Sequence, residues 1–367
     1  MSKKWKVGIV GARGLSTVLG FRGIPDAEVT ALCDIDDELL TAQAAKLGIP
    51  NAYRVYDDML LSDIDIVVVA TPMQLHCEMV LKALDAGKHV LSEVTVGCSM
   101  DELWWIRDAV EHSGLTYMMA ENYCYIPQVQ QVGEMIRRGM LGDIYYGEGE
   151  YLHDIKSLAV YPDGRTSWRS FWQLGKSGNF YPTHSLGPLM MWFAGDRVKT
   201  ITCMGSGHHT APRFRQEDTT LTLCQLESGK LVRIRTDCIS PRPHNMAYYS
   251  VQGTKGVYEA PRGMGDVHKI WLEEMGDPMD HASWRPLSDY EQYMPARYRN
   301  ATEEQKKAGH WGGDYFIIED FMNAVRTGAR PAVDVYSACE WTAVGLLSQE
   351  SLKNGGRPID IPDFRKG

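Results

Sequence analysis

The sequence predicts an α/β chain in two domains. An N-terminal doubly wound parallel sheet spans residues 1–123, and an α+β domain with an open, mainly antiparallel sheet spans 124–367, its C-terminal helices packing back on the assembly. Three observations predict this. Short apolar runs alternate with helix-period segments up to about Tyr123, strands then follow one another without intervening helices, and 367 residues exceed what one core usually serves.

In order, "WKVGIV", "EVTALCD", "IDIVVVA", "KHVLSE" and "LTYMMAE" read as strands, each short, rich in Val, Ile and Leu, and bounded by turn residues. Their near-continuous apolar character suits strands covered on both faces. Between them, "DELLTAQAAKLG", "HCEMVLKALDAG" and "MDELWWIRDAVEHSG" carry apolar residues at helical spacing, and each closes on Gly. After Ile126 the order changes: "VQQVGEMIRRGMLG" predicts a helix, followed by strands in "IYYGEGEYLHD", "TLTLCQLESGKLVRIRTDC" and "YYSVQGTKGVYEA". The turn from Glu227 to Lys230 between two β-rich arms predicts a hairpin. "GGDYFIIEDFMNAVRTG" and "VYSACEWTAVGLLSQESLKNG" predict the closing helices.

A net charge of −9 and a pI of about 5.7 speak against the clustered basic surface that nucleic acid or an anionic membrane requires. No apolar run is long enough to span a bilayer, and "MSKKWKVGIVGARG" enters a strand without the apolar stretch of a signal peptide. The expected compartment is therefore cytoplasmic. The eight cysteines are scattered without a CxxC pair, as reduced thiols would be. His208 and His209 form the one adjacent His pair, with no Cys or carboxylate at zinc spacing, so no metal is expected.

"VGIVGARGLS" places Gly11, Arg13 and Gly14 where the first strand turns into a helix, and Asp34 ends the second strand. Glycine lets backbone N–H groups approach a pyrophosphate at a helix N-terminus, and the acid accepts hydrogen bonds from a ribose. The expected cofactor is NAD, since Asp34 repels a 2′-phosphate, although Arg13 would attract one. The strict glycine pattern is broken by Arg13 and Ser16, and two turn glycines with a capping Asp are the plain alternative. Ligands of open parallel sheets lie beyond the carboxyl ends of the strands. That edge gathers Ala70, Thr71, His76, Glu93, Glu121 and Asn122.

The stretches "VGIVGARG", "CDID", "ATPMQLHCEMVLKALDAGKHVLSE", "GMLGDI" and "DVYSACEW" resemble the Gfo/Idh/MocA oxidoreductase family, a Rossmann-fold family. There the fifth strand usually continues Glu-Lys-Pro, the Lys taking part in proton transfer at a substrate hydroxyl. Here Glu93 is followed by Val94 and Thr95. "MMAENYCY", "GEGEYLHDI", "GNFYPTHSLGP" and "GHWGGDYF" resemble more closely glycoside hydrolase family 109 and related NAD-dependent glycosidases. That subfamily commonly has Pro after Val, so Thr95 departs from it as well.

The resemblance implies transient oxidation of a sugar at C3, elimination across C1 and C2, addition of water, and re-reduction by retained NADH. It implies Tyr151 as the base at C2, His184 and Tyr181 on the reacting hydroxyls, Glu121 as an orienting acid, and Glu93 with Asn122 on the nicotinamide side. Glu93 and Glu121 also read as helix caps, and Tyr181 with His184 as a core pair. Strand alternation puts His153 on the face of Tyr151 and Asp154 on the other. If Tyr181 and His184 begin a helix, their spacing points both one way. Tyr249 and His310 rank below these. Arg165, Trp168, Arg169 and Trp172 suit a sugar loop or a plain surface loop. The expected partner is a small-molecule glycoside or sugar, and fold analogy implies a homo-oligomer, dimer or tetramer. A sugar or cyclitol dehydrogenase using NAD or NADP, and a non-catalytic NAD-sensing interaction protein, are the competing readings.

Overall fold

The computed structural model describes residues 3–12 and 15–366. The chain forms two compact units, and neither is continuous: the first comprises Met1–Tyr125, Thr302–Cys339 and Phe364–Gly367, the second Ile126–Ala301 and Glu340–Asp363. The expected cut at 123/124 lies two residues from the first crossing. The later crossings reflect burial: the helix Gly313–Thr327 has an apolar face of Tyr315, Ile318, Phe321 and Met322 and satisfies it in the first unit.

In the first unit, β1 (Trp5–Val10), β2 (Ala27–Cys33), β3 (Asn51–Tyr53), β4 (Ile66–Val69), β5 (His89–Ser92) and β6 (Tyr117–Met119) form one sheet in the order β3-β2-β1-β4-β5-β6. Every pairing is parallel. All four residues of β4 are fully buried, which is why the run is entirely Ile and Val. The helices α1 (Ser16–Arg22), α2 (Asp37–Leu47), α3 (Tyr56–Leu60), α4 (His76–Asp85) and α5 (Met100–Ser113) connect the strands. Left-handed Gly48 and Gly114 cap α2 and α5. Gly20 lets α1 lie against the start of the helix Gly313–Thr327, because a Cβ there would meet the Asp314 carbonyl at 2.6 Å. That contact fixes the position of Asp314.

In the second unit, β7 (Ile144–Leu152), β8 (Val198–Gly205), β9 (Thr220–Leu226), β10 (Leu231–Asp237), β11 (Asn245–Gly253), β12 (Gly256–Glu259), β13 (Lys269–Leu272), β14 (Arg285–Pro286) and β15 (Ile359–Asp360) form the second sheet. Their order is β14-β13-β12-β11-β7-β10-β9-β8-β15. The expected hairpin joins β9 to β10. β7 and β10 run parallel, from Leu231 opposite Tyr146 to Asp237 opposite Leu152, while the other pairs are antiparallel.

Alternation on β7 sorts its side chains. Gly147 and Gly149 face the helix Thr183–Trp192, where a Cβ on Gly149 would run into the Ser185 carbonyl. The missing side chains let the helix lie directly on the strand. Tyr151 and His153 continue that face, and the His153 amide extends the ladder by donating to the Asp237 carbonyl at 2.8 Å. On the opposite face Glu150, 1% exposed, is held by Arg233 at 2.6 Å and Arg262 at 3.1 Å.

Candidate active site

Each unit carries its own cluster. In the first, β1 ends at Gly11, which has φ of 105°; a Cβ there would collide with the Ala70 carbonyl and lie 2.8 Å from the Thr71 nitrogen. Only glycine permits this approach of two strand ends. Arg13 and Gly14 lie outside the described residues. Asp34 accepts the Ala12 N–H at 2.7 Å through one carboxylate oxygen and the Asp36 N–H at 2.9 Å through the other. Its partial exposure leaves lone pairs for a ribose, so the acid holds the turn and faces outward at once.

His76, expected among the cofactor contacts, is enclosed instead. It is 1% exposed, with Nδ1 2.6 Å from the Thr95 carbonyl and Nε2 2.9 Å from the Thr71 carbonyl. It ties the end of β4 to the segment after β5 and has no ring nitrogen left for a ligand. Burial lowers its pKa, against the two carbonyls, which favour the charged ring.

Glu93 ends β5, its N–H bonded to the Val69 carbonyl at 2.9 Å. It caps no helix, since α5 is capped by Ser99. Burial first, then the charges of Asp314 and Glu121, push its pKa up to about 7 against the opposing pull of His310. Beyond it, Val94 and Thr95 are buried, and the Thr95 hydroxyl donates to the Gly97 carbonyl at 3.2 Å. Neither offers an amine. Glu121 is fully buried and accepts the Tyr123 N–H at 3.2 Å, so part of its role is to close the turn at Asn122–Tyr125.

Asn122 meets His310, at 3.0 Å from amide nitrogen to Nδ1. Nδ1 of His310 also lies 2.9 and 3.0 Å from the two carboxylate oxygens of Asp314, which is 2% exposed. His310 and Trp311 are left-handed, with φ of 50° and 58°, and Gly312 follows at 87°. Two consecutive non-glycine residues in that region cost on the order of 1–3 kcal/mol each, a strain that clusters at functional sites. Trp311 is 54% exposed, and the Tyr123 ring contacts both Trp311 and His310. Burial alone would lower the His310 pKa; the hydrogen bond and charge of Asp314, with the charges of Glu93 and Glu121, outweigh it, and the net direction is up.

The Thr71 hydroxyl and the Asn122 carbonyl oxygen are buried at this carboxyl edge without a hydrogen-bond partner. Orphaned polar atoms there, with the Gly11 turn and the outward Asp34, fit a dinucleotide.

In the second unit, the Tyr151 hydroxyl is 2.8 Å from His153 Nδ1, as their shared strand face requires. The Tyr151 ring also lies 5.1 Å from His184 and 5.8 Å from Tyr181, and those two rings are 5.0 Å apart, edge to face. The helix begins at Thr183, so Tyr181 precedes it rather than occupying its first turn; the two side chains converge from loop and helix. Tyr249, 2% exposed, donates its hydroxyl to the His184 carbonyl at 2.6 Å and so supports this turn.

His153 faces His244 at 4.6 Å between ring centroids. Burial first, then the positive potential of His244, Arg169 and His184, pushes the His153 pKa down to about 4, so its imidazole is neutral near pH 7. His244, Arg242, Lys156 and Asp154 line an open pocket of about 650 Å³. From the loop noted in the sequence, Arg169 reaches the His153 environment, whereas Arg165 pairs with Asp163 at the surface. Among the described residues no group of His, Cys, Asp or Glu is arranged to hold a metal ion, and no helix is long and apolar enough to cross a membrane.

Sequence reasoning ranked His310 low and passed over Asp314 and His244. The His310/Asp314 spacing of four at a helix start, inside the glycine-rich "GHWGGDYF", is the signal that was available.

Residues 5–121 match the oxidoreductase family with the NAD-binding Rossmann fold, and residues 125–367 match the glycosyl hydrolase 109 C-terminal domain. A glycosyl hydrolase family 109 protein of Streptomyces niveus is 32% identical over 394 residues, covering 99% of this chain and 78% of its own. One from Shewanella pealeana is 30% identical, covering 98% and 84%. Levoglucosan dehydrogenase in complex with NADH superposes with a TM-score of 0.82 at 20% identity, over 98% of this chain and all of that one. An oxidoreductase domain protein from Kribbella flavida gives 0.78 at 19%, over 98% and 100%.

Proposed function

This chain belongs to the glycosyl hydrolase 109 family, its C-terminal domain following an NAD-binding Rossmann fold of the Gfo/Idh/MocA oxidoreductases, and from that premise we propose that it is an NAD-dependent glycoside hydrolase working by transient oxidation of the sugar at C3. The observation that carries this reading is the Tyr151 hydroxyl set 2.8 Å from a neutral imidazole, beside His184 and Tyr181. A route through a C3 ketone needs a base for a C–H proton, and a phenol coupled to a neutral imidazole meets that need.

Bound NAD supplies the acceptor and later the donor of the C3 hydride. Asp34 would hold the adenosine ribose, Glu93 the ribose on the nicotinamide side, and Thr71 and Asn122 would offer polar atoms to the cofactor. His184 and Tyr181 hold the sugar hydroxyls. With C3 a ketone, the Tyr151 phenolate takes the C2 proton, its own proton having passed out beforehand by way of His153 Nδ1. The electron pair from the C2–H bond forms the C1–C2 double bond, and the C1 substituent leaves. Water then adds at C1, the proton returns to C2, and reduction at C3 completes a hydrolysis without net oxidation. His244, between His153 and the open pocket, links that proton to solvent. The homo-oligomer reading is supported by Met204, Leu221 and Leu223, apolar and exposed on the second sheet.

The test is a panel of neutral, acetamido and sulfo p-nitrophenyl glycosides, with and without NAD, followed by nitrophenol and by the absorbance of reduced nicotinamide. The expected result is nitrophenol release that requires NAD while reduced nicotinamide does not accumulate. Stoichiometric reduction without release would instead assign a sugar dehydrogenase.

A further inference from the structure

We propose that His310, held by Asp314 at the carboxyl edge of the first sheet, is the catalytic residue that takes the proton from the sugar hydroxyl being oxidised and returns it on reduction. This rests on the C3-oxidation reading above, in which His184 and Tyr181 hold the sugar hydroxyls and no group yet receives the hydroxyl proton.

Oxidation of a secondary alcohol removes a hydride from carbon and a proton from oxygen, so a group with a basic lone pair must face the hydroxyl. At this edge Val94 and Thr95 offer none. Glu121 is fully buried and accepts the Tyr123 N–H through one oxygen, and in the reading above Glu93 is taken up by a ribose. His310 remains. A nitrogen 2.9 and 3.0 Å from two carboxylate oxygens must carry a proton between them, so Nδ1–H donates to Asp314 and the neutral ring is basic at Nε2. Asn122 carries its amide nitrogen towards the same Nδ1, two donors facing each other. Turning the amide over gives Nδ1–H a second acceptor in the Asn122 carbonyl oxygen and puts the amide nitrogen, a donor, at the buried unpaired position on the cofactor side.

The ring is placed rather than merely present. The left-handed His310 and Trp311 keep the imidazole at the surface, with 39% of its side chain exposed, over a carboxylate that is 2% exposed. No described residue bonds Nε2. Asp314, Glu93, Glu121 and the Tyr123 ring are the groups facing His310 from its own helix start, β5, β6 and the following turn. The three acids favour the imidazolium, stabilising it when the hydroxyl proton arrives. In the step, the hydroxyl O–H bond breaks with its proton going to Nε2, the C3–H pair leaves as hydride to NAD, and C3=O forms; reduction reverses each movement.

The experiment compares wild type, His310→Gln, His310→Ala and Asp314→Asn. Single-turnover reduction of NAD by the p-nitrophenyl glycosides is expected to slow by about 10²–10⁴-fold in both His310 variants, with partial rescue of His310→Ala by added imidazole. NAD affinity, read by quenching of tryptophan fluorescence, is expected to stay within threefold. A 3-keto p-nitrophenyl glycoside bypasses oxidation and should be cleaved by His310→Ala at the wild-type rate. Nitrogen NMR of the cofactor-free protein should find the neutral ring protonated at Nδ1, with a lower pKa in Asp314→Asn. Wild-type reduction rates in the His310 variants, or a neutral ring protonated at Nε2, would overturn the assignment. If wild type reduces NAD but leaves the 3-keto glycoside intact, the glycosidase reading fails while His310 stands by the first measurement.

Discussion

Replacing Tyr151 by Phe is expected to cut nitrophenol release by about 10²–10⁴-fold while oxidation at C3 survives. The change removes one hydroxyl, and the ring contacts with His184 and Tyr181 remain, so the fold should lose only about 1 kcal/mol. Absorbance of reduced nicotinamide should then rise to one equivalent of enzyme and stall. His153 cannot substitute directly: its pKa, pushed down to about 4, makes it a far weaker base than a phenolate. Unchanged release, or loss of oxidation together with release, would remove Tyr151 from the base position. The His310 variants should show the converse pattern, losing oxidation and keeping cleavage of the 3-keto probe.

The second large effect is expected at Gly11→Ala. A left-handed φ of 105° already costs a side chain on the order of 1–3 kcal/mol, and the added Cβ must displace the Ala70 carbonyl and the Thr71 amide, both strand backbone. The same displacement turns the Thr71 hydroxyl and the Ala12–Asp34 hydrogen bond away from the cofactor. Denaturant unfolding should show the stability loss, and fluorescence titration an NAD affinity at least about tenfold weaker, equivalent to about 1.4 kcal/mol. An alanine variant with wild-type NAD affinity would contradict the role given to this turn.

The first sheet was legible because its strands are buried on both faces and therefore spelled in continuous Val, Ile and Leu. β3 was not, since three edge residues make no pattern against their surroundings. In the second unit the β9–β10 hairpin follows from its turn residues, but the parallel pairing of β7 with β10 joins segments some eighty residues apart with no local signal. Tyr151 and His153 were readable as partners because alternation on one strand is a local rule. His76 was misassigned for the same reason that it looked attractive: it begins a helix at a strand end, and only the fold shows its ring turned inward onto two carbonyls. His310 was ranked low because several of the groups that face it lie far away in sequence; Asn122 is 188 residues distant, and Glu93 farther still. Spacing within "GHWGGDYF" hints at the Asp314 bond and says nothing of the edge it faces.

The central claim is that glycoside cleavage passes through a C3 ketone that acidifies C2. Turnover by the wild-type protein with NAD in deuterated water, with the released sugar analysed by mass spectrometry and NMR, tests it most directly. Deuterium at C2 of the released sugar, formed only when NAD is present, is the predicted result. Sugar released with its original C2 hydrogen, or released equally well without NAD, would contradict the account.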